Sequence, residues 1–291
     1  MIPRSTLAKL RRIEIRTRRA VSDLFAGRYQ AVFKGQGMEF EEVREYLPGD
    51  DIRSIDWNVT ARTGTPFVKK YREERERTLM LLVDVSASNL FGSTTQLKRD
   101  LAAETAAILA FSAIANHDRV GLLLFSDRVE KHVPPAKGPT HVLRVVSDIL
   151  EARPSSPRTD LAPVLETLNR TLPRRSVVFL LSDFIAPLPE NLLRVAARRH
   201  DLVSIVVGDR LERALPPVGL VDFADPETGR RILVDTSHPP TRRALLLRQT
   251  ARRDALLDTL RRAGSDPIEL YTGEPLDRPL VKFFRQREAR K

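Results

Sequence analysis

Five oxygen-bearing side chains stand where a small hard cation would use them: Asp84, Ser86, Ser88, Thr159 and Asp183. In the segment DVSAS (84–88), alternation turns three oxygen side chains toward one side of a loop. Ser182 and Asp183 follow a later apolar run, and Thr159 and Asp160 open a helical segment behind the loop PSSP (154–157). A cation such as Mg2+ or Mn2+ takes about six oxygen ligands at ~2.0–2.1 Å and usually keeps some waters. The hydroxyls of Ser86, Ser88 and Thr159 suit direct ligation, with Asp84 and Asp183 supplying charge directly or through water. Such a site has fewer anions than a calcium cage, so it stays electrophilic and leaves a position open for an incoming carboxylate. Two blander readings stay open beside it. Asp84 alone is also an ordinary strand-end carboxylate, and Thr159-Asp160 serves equally well as a helix N-cap pair.

These residues need a scaffold that brings strand ends together. From Thr78 onward, short and almost continuous apolar runs alternate with longer helical segments, as a parallel sheet covered on both faces requires. The runs at 79–83, 120–125, 177–181, 202–207 and 268–271 read as strands. Those at 96–116, 139–153, 160–172, 189–200 and 241–263 read as helices, with Pro139 and Pro189 in first turns and Gly264 as a C-terminal cap. Residues 128–133 suit an antiparallel partner for the preceding strand, and 220–234 a hairpin turning at DPETG (225–229). The fold expected is α/β, doubly wound, over residues 78–291. In an open sheet of this kind ligands sit beyond the carboxyl ends of the strands, which is where the five residues lie.

Residues 1–77 read as a second module: a basic start, glycines at 35 and 37, then a charge-dense stretch with the single tryptophan, Trp57. The turn PGDD (48–51) and the strand-like residues 66–71 predict a small β-containing layer. The charges there, including Arg44, Asp50, Arg53 and Asp56, read as an ion-pair network around a turn, and Trp57 as a packing anchor.

The formal net charge is +11, but the basic residues are scattered and 40 of the 49 are arginine in an Ala-, Leu- and Pro-rich chain. No dedicated nucleic-acid function follows from that. With no cysteine, thiol catalysis and thiolate metal sites are excluded. The five histidines have no zinc spacing, and no P-loop, dinucleotide fingerprint or nucleophile elbow is present. No signal peptide and no apolar run of membrane-spanning length is seen, so a cytoplasmic location is expected.

The pattern Asp-x-Ser-x-Ser after a buried strand, then Thr, then Asp after a later strand, resembles the metal-ion-dependent adhesion site of von Willebrand factor A domains. A closer resemblance covers nearly the whole chain. The stretches GMEFEEVREY (37–46), PGDDIRSIDW (48–57), TAR (60–62) and DRVGLLLF (118–125) are similar to the bacterial family named domain of unknown function 58. Within them Arg44, Tyr46, Gly49, Asp50, Arg53, Asp56, Trp57 and Arg62 are the family-motif positions and the candidate interface. The resemblance implies a von Willebrand A-like domain behind a family-specific N-terminal segment. It also implies a partner among MoxR-type AAA+ ATPases and, at the membrane, other von Willebrand A-like proteins. One departure is that Arg158 stands where a glycine often precedes the metal-site threonine. The function expected is thus non-catalytic, divalent-metal-dependent protein binding, as an adaptor or chaperone-like component. Two alternatives remain: an Mg2+-dependent aspartyl phosphotransferase of haloacid-dehalogenase type built on Asp84, and a basic nucleic-acid or membrane-surface binder. The first wants a second aspartate two residues on, where this chain has Ser86.

Overall fold

The computed structural model of the chain describes residues 9–13, 29, 31–33, 38–73, 76–213 and 215–290. Most of the basic start over residues 1–20, and the glycines at 35 and 37, lie outside the described residues.

A six-stranded sheet forms the centre, built from β3 (Thr78–Asp84), β4 (Arg119–Phe125), β5 (Val129–Ala136), β6 (Val177–Ser182), β7 (Asp201–Gly208) and β10 (Asp266–Tyr271). Its spatial order is β10-β7-β6-β3-β4-β5. All neighbours are parallel except β5, which runs antiparallel to β4 at the edge. The inner strands are sequences such as TLMLLVD and VVFLLS, and their residues are buried along almost their whole length. A sheet covered on both faces selects such runs.

Alternate residues of the inner strands feed two separate cores. Leu79, Leu81 and Val83 of β3 join one core with α2 (Lys98–Ala115), α3 (Pro139–Glu151) and α7 (Asp277–Glu288). Met80 and Leu82 join the other, with α4 (Ala162–Thr171), α5 (Glu190–Arg199) and α6 (Pro239–Arg262). The result is a helix, sheet, helix sandwich. In α2 the buried residues include Ala102, Ala103, Ala106, Ala107, Ala110 and Ala113, whose small side chains let the helix axis approach the sheet closely. Gly264, at φ +87°, ends α6 in the left-handed conformation that a side chain would oppose.

Residues before Thr78 contribute to the first core. Leu10, Ile13, Tyr29, Val32 and Phe33 are buried in it, and the Phe33 ring meets those of Phe179 and Phe284 edge-on at 6.0 and 6.1 Å. Beyond them, β1 (Met38–Glu45) and β2 (Phe67–Glu73) pair as an antiparallel ribbon, joined through α1 (Trp57–Thr63). Of the expected ion-pair network, one pair is seen at the turn among the described residues: Arg44 clamps Asp50 through two bonds of 2.8 and 2.7 Å, and Asp50 also accepts the Leu47 amide. Those bonds hold the Asp50 carboxyl below its ordinary pKa. Gly49 occupies the turn at φ +111°, Tyr46 is half-buried, and Arg53 and Arg62 are exposed.

Trp57 is a correction. It is 68% exposed and anchors nothing among the described residues. The anchor is its neighbour Asp56, whose carboxylate accepts the Asn58 and Val59 amides at the start of α1 and pairs with Lys69 on β2 at 3.3 Å. A carboxylate that caps a helix and bridges to a strand fixes the corner, and the indole is left in solvent.

The chain passes from β3 outward to β4 and β5, then returns to the other side of β3 to form β6. This reversal puts the switch point of the sheet at the carboxyl ends of β3 and β6, the place where open α/β sheets bind ligands. Among the described residues no helix is long and apolar enough to cross a membrane.

Replacing Asp56 by alanine is expected to speed amide exchange through residues 58–63 and to lower the urea midpoint. Trp57→Ala is expected to leave both unchanged. Hydrogen exchange read by mass spectrometry checks the contrast.

Candidate metal centre

Asp84 ends β3 and Ser182 ends the adjacent β6, with Val83 in register with Leu181. The Ser182 hydroxyl therefore lies beside the Asp84 carboxylate and donates to it at 2.6 Å. The other Asp84 oxygen accepts the Ser86 amide at 2.9 Å, which bends the chain back over the strand end. A single 3-10 turn, Ala87–Leu90, follows and sets the Ser86 and Ser88 hydroxyls 3.1 Å apart. Asn89 steadies the pair by donating to the Ser86 hydroxyl at 3.3 Å. Asp84, Ser86, Ser88 and Asp183 are all buried.

Two neighbouring carboxylates buried from water repel. Burial first, and the charge of Asp183 second, push the Asp84 carboxyl up to about 7. A positive charge placed between them would relieve both effects. The donor set is two carboxylates and two hydroxyls, all oxygen, which fits a magnesium-like ion in type. Among the described residues no group of three or more His, Cys, Asp or Glu is arranged to hold a metal, so hydroxyls and waters would have to complete the shell.

Thr159 stands differently. Its loop is tied to the first one, since the Ala87 amide donates to the Pro157 carbonyl at 3.1 Å and the Asp160 amide to the Ser126 carbonyl at 3.0 Å. The preceding serines are tied as well: Ser155 donates to Glu130, and Ser156 to Asp127 at 2.7 Å. The Thr159 hydroxyl itself donates to Glu227 at 2.8 Å. The helix is entered at Leu161, so neither Thr159 nor Asp160 is its N-cap residue, although Asp160, one position earlier, accepts the Ala162 amide at 2.9 Å. The structure thus gathers Asp84, Ser86, Ser88 and Asp183 into one buried cluster and gives Thr159 a carboxylate partner from elsewhere in the chain.

Sequence reasoning missed a cation already present. Lys98, the first residue of α2, is 1% exposed, with its ammonium 3.3 Å from Asp183 and in contact with Glu212. Burial alone would lower its pKa, but Asp183 and Glu212 overcome that and hold it above the ordinary value. An ammonium at a helix N-terminus opposes the helix dipole, so these carboxylates are what keep it there. A lone lysine in a charge-rich segment carries no periodic signal, and Glu212 lies 114 residues away in sequence. The family-motif residues Arg44, Asp50, Asp56 and Trp57 belong to the β1–β2 ribbon and its turn, and no bond from them to the pocket is found among the described residues.

Lys98→Met keeps the volume and removes the charge. A buried ion pair broken from one side typically costs ~3–5 kcal/mol, so a loss of that order in urea unfolding is expected, partly recovered by Mn2+.

Comparison with known proteins gives a consistent lineage. A family model described as "Protein of unknown function DUF58" matches residues 42–255. An uncharacterized protein of Mycobacterium tuberculosis is 34% identical over 286 residues, covering 96% of this chain and 89% of its own. A shorter protein of Paracoccus denitrificans, named as uncharacterized and lying in the moxR 3' region, is 36% identical over 99 residues, 33% of this chain and 92% of its own. Among solved structures, the conserved hypothetical protein BatB of Bacteroides thetaiotaomicron superposes with a TM-score of 0.50 at 12% identity. It covers 74% of this chain and 100% of that one, a likeness of fold alone.

Proposed function

This chain belongs to the DUF58 family, and from that premise we propose that it is a non-catalytic adaptor that binds a partner protein through a divalent cation. The observation that carries the reading is the burial of Asp84, Ser86, Ser88 and Asp183 together at the crossover of a doubly wound sheet. Counted in chain order from the antiparallel edge, the strands run third, second, first, fourth, fifth, sixth. That order, with four oxygen donors at the switch point, supports a von Willebrand A-like form for the domain. Asp84, Ser86, Ser88 and Asp183 would hold Mg2+ or Mn2+, with Thr159 as the further donor. When bound, the cation supplies a Lewis-acidic point able to accept a carboxylate from the partner.

The remaining contribution is the chain's own. The Asp84 carboxylate fixes the turn at Ser86, Asn89 orients the hydroxyl pair, and Lys98 neutralises Asp183 from the helix side. The one hydroxyl set directly against a strand-end carboxylate, Ser182 on Asp84 at 2.6 Å, is fully buried, which favours recognition over turnover. The partner class proposed is a MoxR-type AAA+ ATPase, supported by the moxR-region name of the Paracoccus relative. With a partner of that class, the cytoplasm is the proposed place of the encounter.

Lys98 favours a second reading, in which this ammonium is the only cation the site needs and partner binding is indifferent to metal. Affinity capture from native lysate separates the two, using wild type, Asp84→Ala and Lys98→Met, each with Mg2+ and with EDTA. The expected result is an AAA+ ATPase retained only with Mg2+ and intact Asp84. Retention in EDTA that is lost in Lys98→Met would overturn the metal reading in favour of the second.

A further inference from the structure

Outside the central sheet, β8 (Leu220–Ala224) and β9 (Arg231–Asp235) form a hairpin whose residues are exposed or half-buried throughout. Leu220, Ile232 and Leu233 are among its exposed side chains. Burial against the body therefore cannot be what positions it. The hairpin is instead held at its two ends. At the base, the buried Thr236 donates to the Gly219 carbonyl at 2.7 Å and accepts the Val218 amide at 3.0 Å. At the tip, Glu227 receives both the hydroxyl and the amide of Thr159, at 2.8 and 3.2 Å.

The tip is organised to present that carboxylate. Asp225 accepts the Glu227 amide at 2.9 Å and the Thr228 hydroxyl at 2.5 Å, and the Gly229 amide returns to the Asp225 carbonyl at 2.8 Å. Gly229 closes the turn at φ +73°. Pro226 adds a fixed φ between the two acids. A turn of this kind has few conformations left to lose when Glu227 meets its partner.

We infer that Glu227 is a positioning residue for the cation site, through which the exposed β8–β9 hairpin and the metal loops are thermodynamically coupled. The inference rests on the metal reading of the preceding subsection. A hydroxyl that lends its lone pair to a cation must send its proton to another acceptor, and the Glu227 carboxylate is placed to take it. The hydroxyl so engaged is a stronger donor, so the bond to Glu227 tightens with cation binding. Partners of metal ligands act this way in general, and losing one costs about 10- to 100-fold in affinity. Coupling is reciprocal: if Glu227 strengthens cation binding, the cation must equally strengthen the seating of the hairpin. A partner that grips the hairpin would then read, or set, the occupancy of the site.

The test uses the full chain and Mn2+ alone. Mn2+ affinity is measured by titration calorimetry for wild type, Asp84→Ala, Glu227→Ala and Glu227→Gln, and amide exchange over residues 220–235 is followed with and without Mn2+. Melting curves accompany each variant. The expected result is loss of binding in Asp84→Ala and about tenfold weaker binding in Glu227→Ala, with Glu227→Gln between it and wild type. Mn2+ is also expected to slow exchange in the wild-type hairpin and not in that of Glu227→Ala. If Asp84→Ala abolishes binding while both Glu227 variants match wild type and hairpin exchange ignores Mn2+, the coupling is overturned and the metal reading stands. If wild type binds no Mn2+, or Asp84→Ala binds as wild type does, both are overturned.

Discussion

Two carboxylates, Asp84 and Asp183, are brought side by side out of water because their strands are neighbours at the place where the sheet reverses direction. That placement creates a repulsion, and a carboxylate removed from solvent must find compensation or take up a proton. Much of the surrounding structure answers this constraint. The hydroxyl of Ser182 and the amide of Ser86 satisfy one carboxylate. The Lys98 ammonium, carried in on the first turn of α2, answers the other and is itself shared with Glu212. The paired hydroxyls of Ser86 and Ser88 complete an oxygen-lined pocket that suits a further positive charge.

That arrangement also explains why the loops around the pocket are pinned so thoroughly. A ligand site is only as selective as its donors are fixed, and loops have no periodic ladder to fix them. Here Glu130, Asp127 and Glu227 each hold a serine or threonine of the segment 155–159. Three carboxylates outside the cluster thus set the position of the loop bonded to its 84–88 segment. The resulting structure has charge pairs as its frame and hydroxyls as its working surface.

The scaffold was legible in the sequence for a simple reason. Doubly buried strands such as β3 and β6 leave continuous apolar runs, and those runs end where the polar chemistry begins. Asp84, Ser86, Ser88 and Asp183 could be picked out because each lies immediately beyond such a run. Thr159 was legible as a type of residue and not as a set of contacts, since its partner Glu227 is 68 residues away, at the tip of a hairpin whose pairing the sequence shows but whose contact with the body it does not. Lys98 and Glu212 were invisible because an isolated charge looks the same on a surface as in a core. Trp57 misled in the opposite sense: a large aromatic ring in a charged module suggests an anchor, but the cap at Asp56 already fixed that corner.

The central claim is that a divalent cation binds at the crossover. Its most direct test is paramagnetic: titrate Mn2+ into isotope-labelled protein and map which backbone amide signals broaden. A cation at the crossover would centre the broadening on residues 84–88 and 183–185, extending to 159, and Asp84→Ala would abolish it. Broadening centred on the acidic residues of the N-terminal ribbon, or none at all, would contradict it and leave Lys98 as the site's own cation.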